Sequence, residues 1–309
     1  MCAWRCSGFR QVGSAFLCVV APIVLLLLAA CATPAPTPPV PQESIKISAA
    51  SAMVPLLTRL ARAFEAREPR VAVVIEHANS YQSLRQTLEG SADLGACTVA
   101  VADEVWAAPI ALDAVAVVVH PDNPLENLTL TQVRDVFGGR VWRWQDLGID
   151  WDVNEIVVVS REEGSGTRMA FEATAMIVPG SDTCQPHLAI DPEGRSEGAL
   201  RVEACQGNPV APTALVVVDS QAVVAYVQAH RGAIGYVSRA YVSSQIKAVS
   251  IEGLDPNPAE IQAGNYLLAE PFFLVAPREP RGPARAFVDF SLSPEGQAIV
   301  AQEYVPVRQ

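Results

Sequence analysis

Residues 155–176 read E-I-V-V-V-S-R-E-E-G-S-G-T-R-M-A-F-E-A-T-A-M, and this stretch decides the fold. Glu155 to Ser160 is a short, β-branched run that predicts a strand. Arg161-Glu162-Glu163-Gly164-Ser165-Gly166-Thr167 follows at once, and a helix is predicted from about Thr167 to Met176. A strand that turns through glycines straight into a helix is the joint of an α/β unit. The joint also carries chemistry. A helix N-terminus presents free backbone N–H groups and the positive end of the dipole. Glycines let a ligand approach the backbone closely. Ser165 and Thr167 add hydroxyls, and Arg161 adds a planar fork that matches two oxygens of a tetrahedral anion. Together these parts describe an anion site. The same string also fits a capped helix after a turn, with Arg161 paired to a surface acid. It is not a Walker loop, because no lysine follows the second glycine.

The alternation extends in both directions. Ser44 to Ala49 predicts a strand, Pro55 opens an amphipathic helix through Leu57, Leu60, Ala61 and Phe64, and Val71 to Glu76 predicts a buried strand. Ser83 to Glu89 is expected as a short helix, Ala92 to Ala96 as a strand, and Ala108 to His120 as a long apolar strand. Thr129 and Gln132 fit a capping box before a helix at Val133 to Phe137, which Gly138-Gly139 ends. Residues 180–208 are polar and predict a surface excursion. Ser220 to Ala229 reads as a helix, Ala233 to Val237 and Tyr266 to Val275 as strands, and Pro283 to Gln302 as the last helix. Such alternation implies a mainly parallel sheet covered by helices on both faces.

The chain has 309 residues, half of them hydrophobic, and a formal charge of -11. That balance argues against a nucleic-acid partner, which calls for a basic surface. It does not exclude an anionic ligand, because local dipoles and arginines govern a buried site. Four of the seven cysteines, Cys2, Cys6, Cys18 and Cys31, fall in the first 31 residues. The four histidines (His77, His120, His187, His230) are scattered, and no C-x-x-C occurs in the body, so neither a metal site nor a cofactor is expected.

The N-terminal segment reads as an address. Arg5 and Arg10 precede an apolar run from Val12 to Ala30, the layout of a secretory signal. Its end, Leu28-Ala29-Ala30-Cys31, resembles the lipobox of bacterial lipoproteins, which makes residues 1–30 a signal peptide and Cys31 the lipid-attachment residue. An uncleaved membrane anchor is the alternative reading. Residues 31–43 are rich in proline and predict a semi-rigid tether. Either reading places the body outside the cytoplasm, where a disulfide between Cys184 and Cys205 is permitted. Cys97 reads as a small buried hydrophobe, and Trp142, Trp144 and Trp151 as packing residues.

The R-E-E-G-S-G-T string after a strand resembles the signature of the phosphate-binding proteins of bacterial ABC importers. Other stretches agree in order. Ile45 to Ser48 with Ser51 and Pro55 resembles that family's opening strand and first binding loop, Ser80 to Ser83 its second, and Ala92 to Thr98 its third. Gly232 to Val237 and Gly296 to Val305 are similar to later segments. The resemblance covers nearly all of the body from Ser44. It implies the two-lobed type II periplasmic binding protein fold, with one lobe from 44–114 plus 272–309 and the other from 115–271. The crossing segments Ala114–Val119 and Leu268–Phe273 would form the hinge.

Carried over by position, the resemblance implies a pocket with backbone N–H groups of Ala52 and Met53, hydroxyls of Ser80 and Thr98, and an opposite wall of Arg161, Ser165, Gly166 and Thr167. Glu163 would orient Arg161 or face water. Two departures stand out. The first loop reads Ala49-Ala50-Ser51-Ala52 where the family has G-S-x-T, so Ser51 is the candidate for the missing hydroxyl. Thr98 stands where some members carry a carboxylate. The implied function is capture of phosphate and delivery to ABC permease subunits by a lipid-anchored monomer on the outer face of the cytoplasmic membrane, or on the periplasmic side of the envelope. Binding of sulfate, molybdate or tungstate, and a non-transport sensor or adhesion role, are the alternatives. A hydrolase built on Ser165 lacks a G-x-S-x-G elbow and a placed histidine base.

Overall fold

Two strands run through the middle of the main sheet, and most of the candidate site residues are placed by the strands and helices on either side of them. The computed structural model describes residues 42–101, 104–177, 187–190, 200–203 and 210–307. The signal run, Cys31, most of the tether, Cys184 and Cys205 lie outside the described residues.

Strand β1 (Glu43–Ala50) passes through a 3-10 turn (Ser51–Met53) into helix α1 (Val54–Arg67). Pro55 presets the first turn of α1. Leu56, Leu57, Leu60, Ala61 and Phe64 are its buried face, the spacing of an apolar stripe on a helix of 3.6 residues per turn. Strand β2 (Val71–Ala78) returns parallel to β1, α2 (Ser80–Leu88) follows, and β3 (Leu94–Cys97) pairs parallel on the other side of β1. After the short β4 (Ala100–Val101) comes β5 (Trp106–Val119), whose residues 114–119 are all buried.

Beyond β5 lie β6 (Asn127–Leu128), α3 (Leu130–Phe137), β7 (Val157–Arg161) and α4 (Gly166–Ala175). Strands β8 (His187–Ile190) and β9 (Leu200–Glu203) form an antiparallel pair that adds onto β4, so the segment read as a surface excursion contains strand. Then come β10 (Leu215–Val217), α5 (Ser220–Ala229), β11 (Ala233–Ser238), β12 (Lys247–Ile251) and α6 (Pro258–Gln262). Strand β13 (Ala269–Ala276) leads to α7 (Gly282–Ser291), α8 (Pro294–Val300) and β14 (Val305–Pro306).

The main sheet has the order β10-β7-β11-β5-β13-β3-β1-β2. Parallel pairing holds on both flanks, among β1, β2 and β3 and among β7, β10 and β11. The centre is different. Strand β13 runs antiparallel to β5 and β3, and β11 and β12 run antiparallel to β5. The sheet is therefore mixed, because the chain crosses its middle in both directions. One apolar cluster gathers Ile45, Leu57, Phe64, Ile110, Phe272 and Phe287; a second gathers Val117, Phe137, Trp144, Phe171, Tyr236 and Leu268. Along β5 the changeover falls between Ala111 and Ala114, and along the returning chain between Leu268 and Phe272.

Three local expectations are corrected. Helix α2 begins at Ser80 rather than Ser83, because the Asn79 side chain accepts from the Gln82 N–H at 2.8 Å and closes a capping box. The final helix is two helices, because the Ser293 hydroxyl caps a new start ahead of Pro294. Trp144 is buried and meets Trp151 edge-on at 6.0 Å, but Trp142 is 54% exposed and carries the Arg143 guanidinium over its ring at 4.6 Å.

Candidate functional site

Five strands end on one region. Ser51 follows β1, Ser80 follows β2, Thr98 follows β3, Arg161 closes β7, and Ser220 follows β10. Ligands of open α/β sheets bind beyond the carboxyl ends of such strands. Four of these ends feed helix N-termini: Ser51 leads into α1, Ser80 opens α2, Gly166 opens α4 and Ser220 opens α5. Each helix start contributes free N–H groups and a partial positive charge of about half an elementary charge.

One wall carries Ser51, Ala52 and Met53, all buried in the 3-10 turn, together with Ser80 and Thr98, both fully buried. The Thr98 N–H donates to Ser80 Oγ at 3.1 Å, and the two hydroxyls are 3.5 Å apart. The Cys97 thiol donates to the Ser80 carbonyl at 3.4 Å. Burial pushes that thiol up to about 12, so it remains protonated. Cys97 is the small buried group expected, and it also braces Ser80.

The opposite wall is the 161–167 loop. Arg161 is 1% exposed. Its Nη1 donates to Ser220 Oγ at 3.3 Å and its Nη2 to the Val218 carbonyl at 3.2 Å, while Nε is buried without a partner among the described residues. The expected alternative, pairing with a surface acid, is therefore not adopted. Glu163 is exposed and does not orient Arg161. Burial lowers the guanidinium's pKa, opposed by Tyr236, Glu162, Asp219 and Glu270, yet an arginine stays cationic. Its backbone is fixed from below. The Arg161 N–H donates to the Tyr236 hydroxyl at 3.3 Å, and Tyr236 stacks on Phe171 at 4.2 Å. Ser165 is the N-cap of α4, accepting from the Arg168 N–H at 3.4 Å. Thr167 is 2% exposed, and its hydroxyl donates to Glu270 Oε1 at 3.3 Å.

The two walls touch. The Tyr81 N–H donates to the Gly164 carbonyl at 3.2 Å, and Asn79 Nδ2 donates to Glu162 Oε1 at 3.0 Å. Gly164 adopts a φ of 84°, which favours glycine. Gly166 is required for a different reason: a Cβ there would collide with Thr98 Oγ1 and Ser80 Oγ. Of the residues predicted for the pocket, Ser51, Ser80, Thr98, Arg161, Gly166 and Thr167 are drawn together by these and the following contacts, Ser165 caps α4 beside them, and Ala52 and Met53 follow Ser51 in the buried turn, packed in the first apolar cluster.

Sequence reasoning missed three residues there. Ser220 lies between Ser51 and Arg161, with its Oγ 3.2 Å from Ser51 Oγ and its N–H donating to Ser51 Oγ at 3.4 Å. Tyr241 donates its hydroxyl to the Ser51 carbonyl at 2.6 Å. Glu270 is a fully buried carboxyl beneath Thr167. In the sequence Ser220 marked only the start of a helix, and Glu270 was the one acid in an apolar strand.

An α/β molecule of this topology, with a polar, cationic site where its two flanks meet, has the fold of the type II periplasmic binding proteins. The chain belongs to the PBP superfamily, whose domain pattern matches residues 34–295. It is 24% identical over 274 residues to the phosphate-binding protein PstS of Bacillus subtilis, covering 85% of this chain and 81% of that one. It is 26% identical over 285 residues to PstS of Pseudomonas aeruginosa, covering 82% and 79%. Among solved structures it resembles a putative phosphate ABC transporter substrate-binding protein with bound phosphate from Clostridium perfringens. The TM-score is 0.72 and the identity 29%, over 86% of this chain and all of that one. An ABC-type phosphate transport receptor from Vibrio cholerae shares the fold at a TM-score of 0.61 and 24% identity, covering 85% of this chain and 99% of that one. Among the described residues no helix is long and apolar enough to cross a membrane.

Proposed function

We propose that this protein is an extracytoplasmic solute-binding lipoprotein that captures phosphate in a cleft between two lobes and delivers it to the permease of an ABC importer. The observation that carries this reading is Arg161. A guanidinium taken out of water is costly unless an opposite charge compensates it, and its hydrogen bonds go to a hydroxyl and a carbonyl, not to a carboxylate. Helix N-termini and hydroxyls surround it, so the compensating group is an oxyanion. The two apolar clusters support a division close to lobes 44–114 plus 272–309 and 115–271, with Ala114 and Val305 packing in the second cluster and the site between the two. Phosphate is the ligand that the relatives' names supply. The site binds and releases without chemistry, and the protein acts as a monomer tethered through lipidated Cys31.

Calorimetric titration of the anion-stripped protein with phosphate, sulfate and molybdate in turn tests the reading. Tight 1:1 phosphate binding with weak sulfate binding is expected. Preference for sulfate or molybdate would reassign the cargo, and binding of none would favour a sensor or adhesion role. Replacing Cys31 by alanine should release the protein from the membrane fraction.

A further inference from the structure

Two carboxyl groups in the middle of the sheet are not used by the site as described so far. Asp113 on β5 and Glu270 on β13 stand directly opposite each other in the antiparallel pair, so their side chains leave the same face of the sheet. They are 1% and 0% exposed. Each has one engaged oxygen and one without a partner among the described residues. Ser238 Oγ donates to Asp113 Oδ2, leaving Oδ1, and Thr167 Oγ1 donates to Glu270 Oε1, leaving Oε2. Glu270 also senses the Thr98 hydroxyl. It therefore lies below both walls of the site, against Thr98 of one and Thr167 of the other.

The groups facing this pair have opposing effects. Around Glu270, Arg161 and the two hydroxyls favour the charged form; burial, the largest effect, and Asp113 disfavour it. Around Asp113, Ser238, the Ala114 N–H and Arg239 favour charge, while burial and Glu303 disfavour it. Tyr266 and Tyr304 also face Asp113, with phenols held protonated mainly by burial. Burial raises both carboxyls above the ordinary carboxylate range, with Asp113 adding its repulsion at Glu270 and Glu303 at Asp113. An oxyanion held by Arg161 and Thr167 would add a negative charge beside Glu270 and draw on the cation that favours its ionised form. Both effects increase the carboxyl's affinity for a proton.

We propose that oxyanion binding at this site is coupled to proton uptake by the Asp113–Glu270 pair, with Glu270 the specificity-determining member that meets the ligand through its protonation state. The inference rests on the anion-site reading above. By linkage, whatever the anion does to the carboxyl's proton affinity the proton does to the anion's affinity. A protonated Oε2 is a donor in want of an acceptor, and an ionised one is an acceptor that suits only an anion bearing its own proton.

The test uses the full chain, stripped of anion and titrated calorimetrically with inorganic phosphate in two buffers of different ionisation enthalpy, from about pH 6 to about pH 9. Above the second ionisation of phosphate the free ligand is a dianion, so proton uptake there is a proton gained on binding, by the carboxyl pair or by an anion whose protonated form an ionised Glu270 selects; the same titration with sulfate, which takes up no proton in this range, separates the two. The wild type is expected to take up a fraction of a proton, approaching one, with affinity falling as pH rises by up to about tenfold per unit. Glu270→Gln should lose that uptake. Asp113→Asn, which removes the repulsion, should move the proton-linked window to lower pH. Phosphate binding with no uptake in the wild type, or with equal uptake in wild type and Glu270→Gln, would overturn the coupling and leave the anion site standing. Absence of phosphate binding in the wild type would overturn the site reading and the coupling with it.

Discussion

The Oγ of Ser51 lies 3.2 Å from the Oγ of Ser220, across 169 residues of sequence. Ser220 Oγ in turn accepts from Arg161 Nη1 at 3.3 Å. The start of α1 and the start of α5 thus meet on one guanidinium through two hydroxyls. Ser220→Ala removes the middle of that chain. Hydrogen bonds to charged groups contribute about 1.5–3 kcal/mol, and phosphate affinity should fall by about that much in a titration. An affinity equal to that of the wild type would show that Ser220 only supports the fold.

Arg161→Met separates binding from stability. The wild-type guanidinium is buried with no carboxylate bonded to it among the described residues, and replacing a desolvated charge with an apolar side chain of similar length is often neutral or stabilising. Without anion, the variant should melt at or above the wild-type temperature. Saturating phosphate should raise the wild-type melting point and leave the variant's unmoved, because only a bound ligand contributes mass-action stabilisation. A phosphate-dependent shift in the variant equal to the wild type's would place the ligand elsewhere.

How much of this was legible in the sequence depends on whether a signal is local. The strand–glycine–helix joint at 157–175 reads correctly because the β-branched run, Gly164 and the Ser165 cap all lie within one short segment. Long buried runs such as 114–119 were equally plain. Ser220 was invisible as a site residue because Asp219-Ser220 carries the same punctuation as any helix start, and its meeting with Ser51 is set by strand order. Glu270 and Asp113 did leave a signal, an acid inside an otherwise apolar strand. Their opposition is a matter of register between β5 and β13, which neither strand's pattern specifies. The break at Ser293 did leave a local signal, because Ser293-Pro294-Glu295-Gly296-Gln297 interrupts the apolar spacing and Ser293 caps the new helix; reading 283–302 as one helix passed over it.

Gly166→Ala tests how closely the walls meet. The added methyl would collide with Thr98 Oγ1 and Ser80 Oγ, hydroxyls carried by residues that are themselves fully buried and cannot retreat. Overpacking of this kind costs about 1–3 kcal/mol. The walls must move apart, so the variant should lose phosphate affinity by more than it loses thermal stability. Normal affinity in a normally folded variant would mean that the two hydroxyls are not held against the α4 N-terminus in solution.

The carboxyl pair also makes a prediction about stability that needs no ligand. Asp113 and Glu270 have folded-state pKa values above their unfolded values, chiefly through burial and then mutual repulsion for Glu270. A carboxyl raised on folding means that the native state binds more protons than the unfolded chain, so stability falls as pH rises. The pair's full contribution is present below the unfolded carboxylate range, near pH 4, and is lost progressively as pH climbs through the raised folded values. Glu270→Gln keeps an oxygen to accept from Thr167 Oγ1 and removes the ionisation. It should therefore be more stable than the wild type at mildly alkaline pH, with the advantage shrinking toward zero as pH falls to about 4. Denaturant unfolding at a series of pH values measures this directly. A stability difference that does not vary with pH would mean that Glu270 keeps the same charge in the folded and unfolded chain, in which case its burial is compensated by Arg161 rather than by a proton.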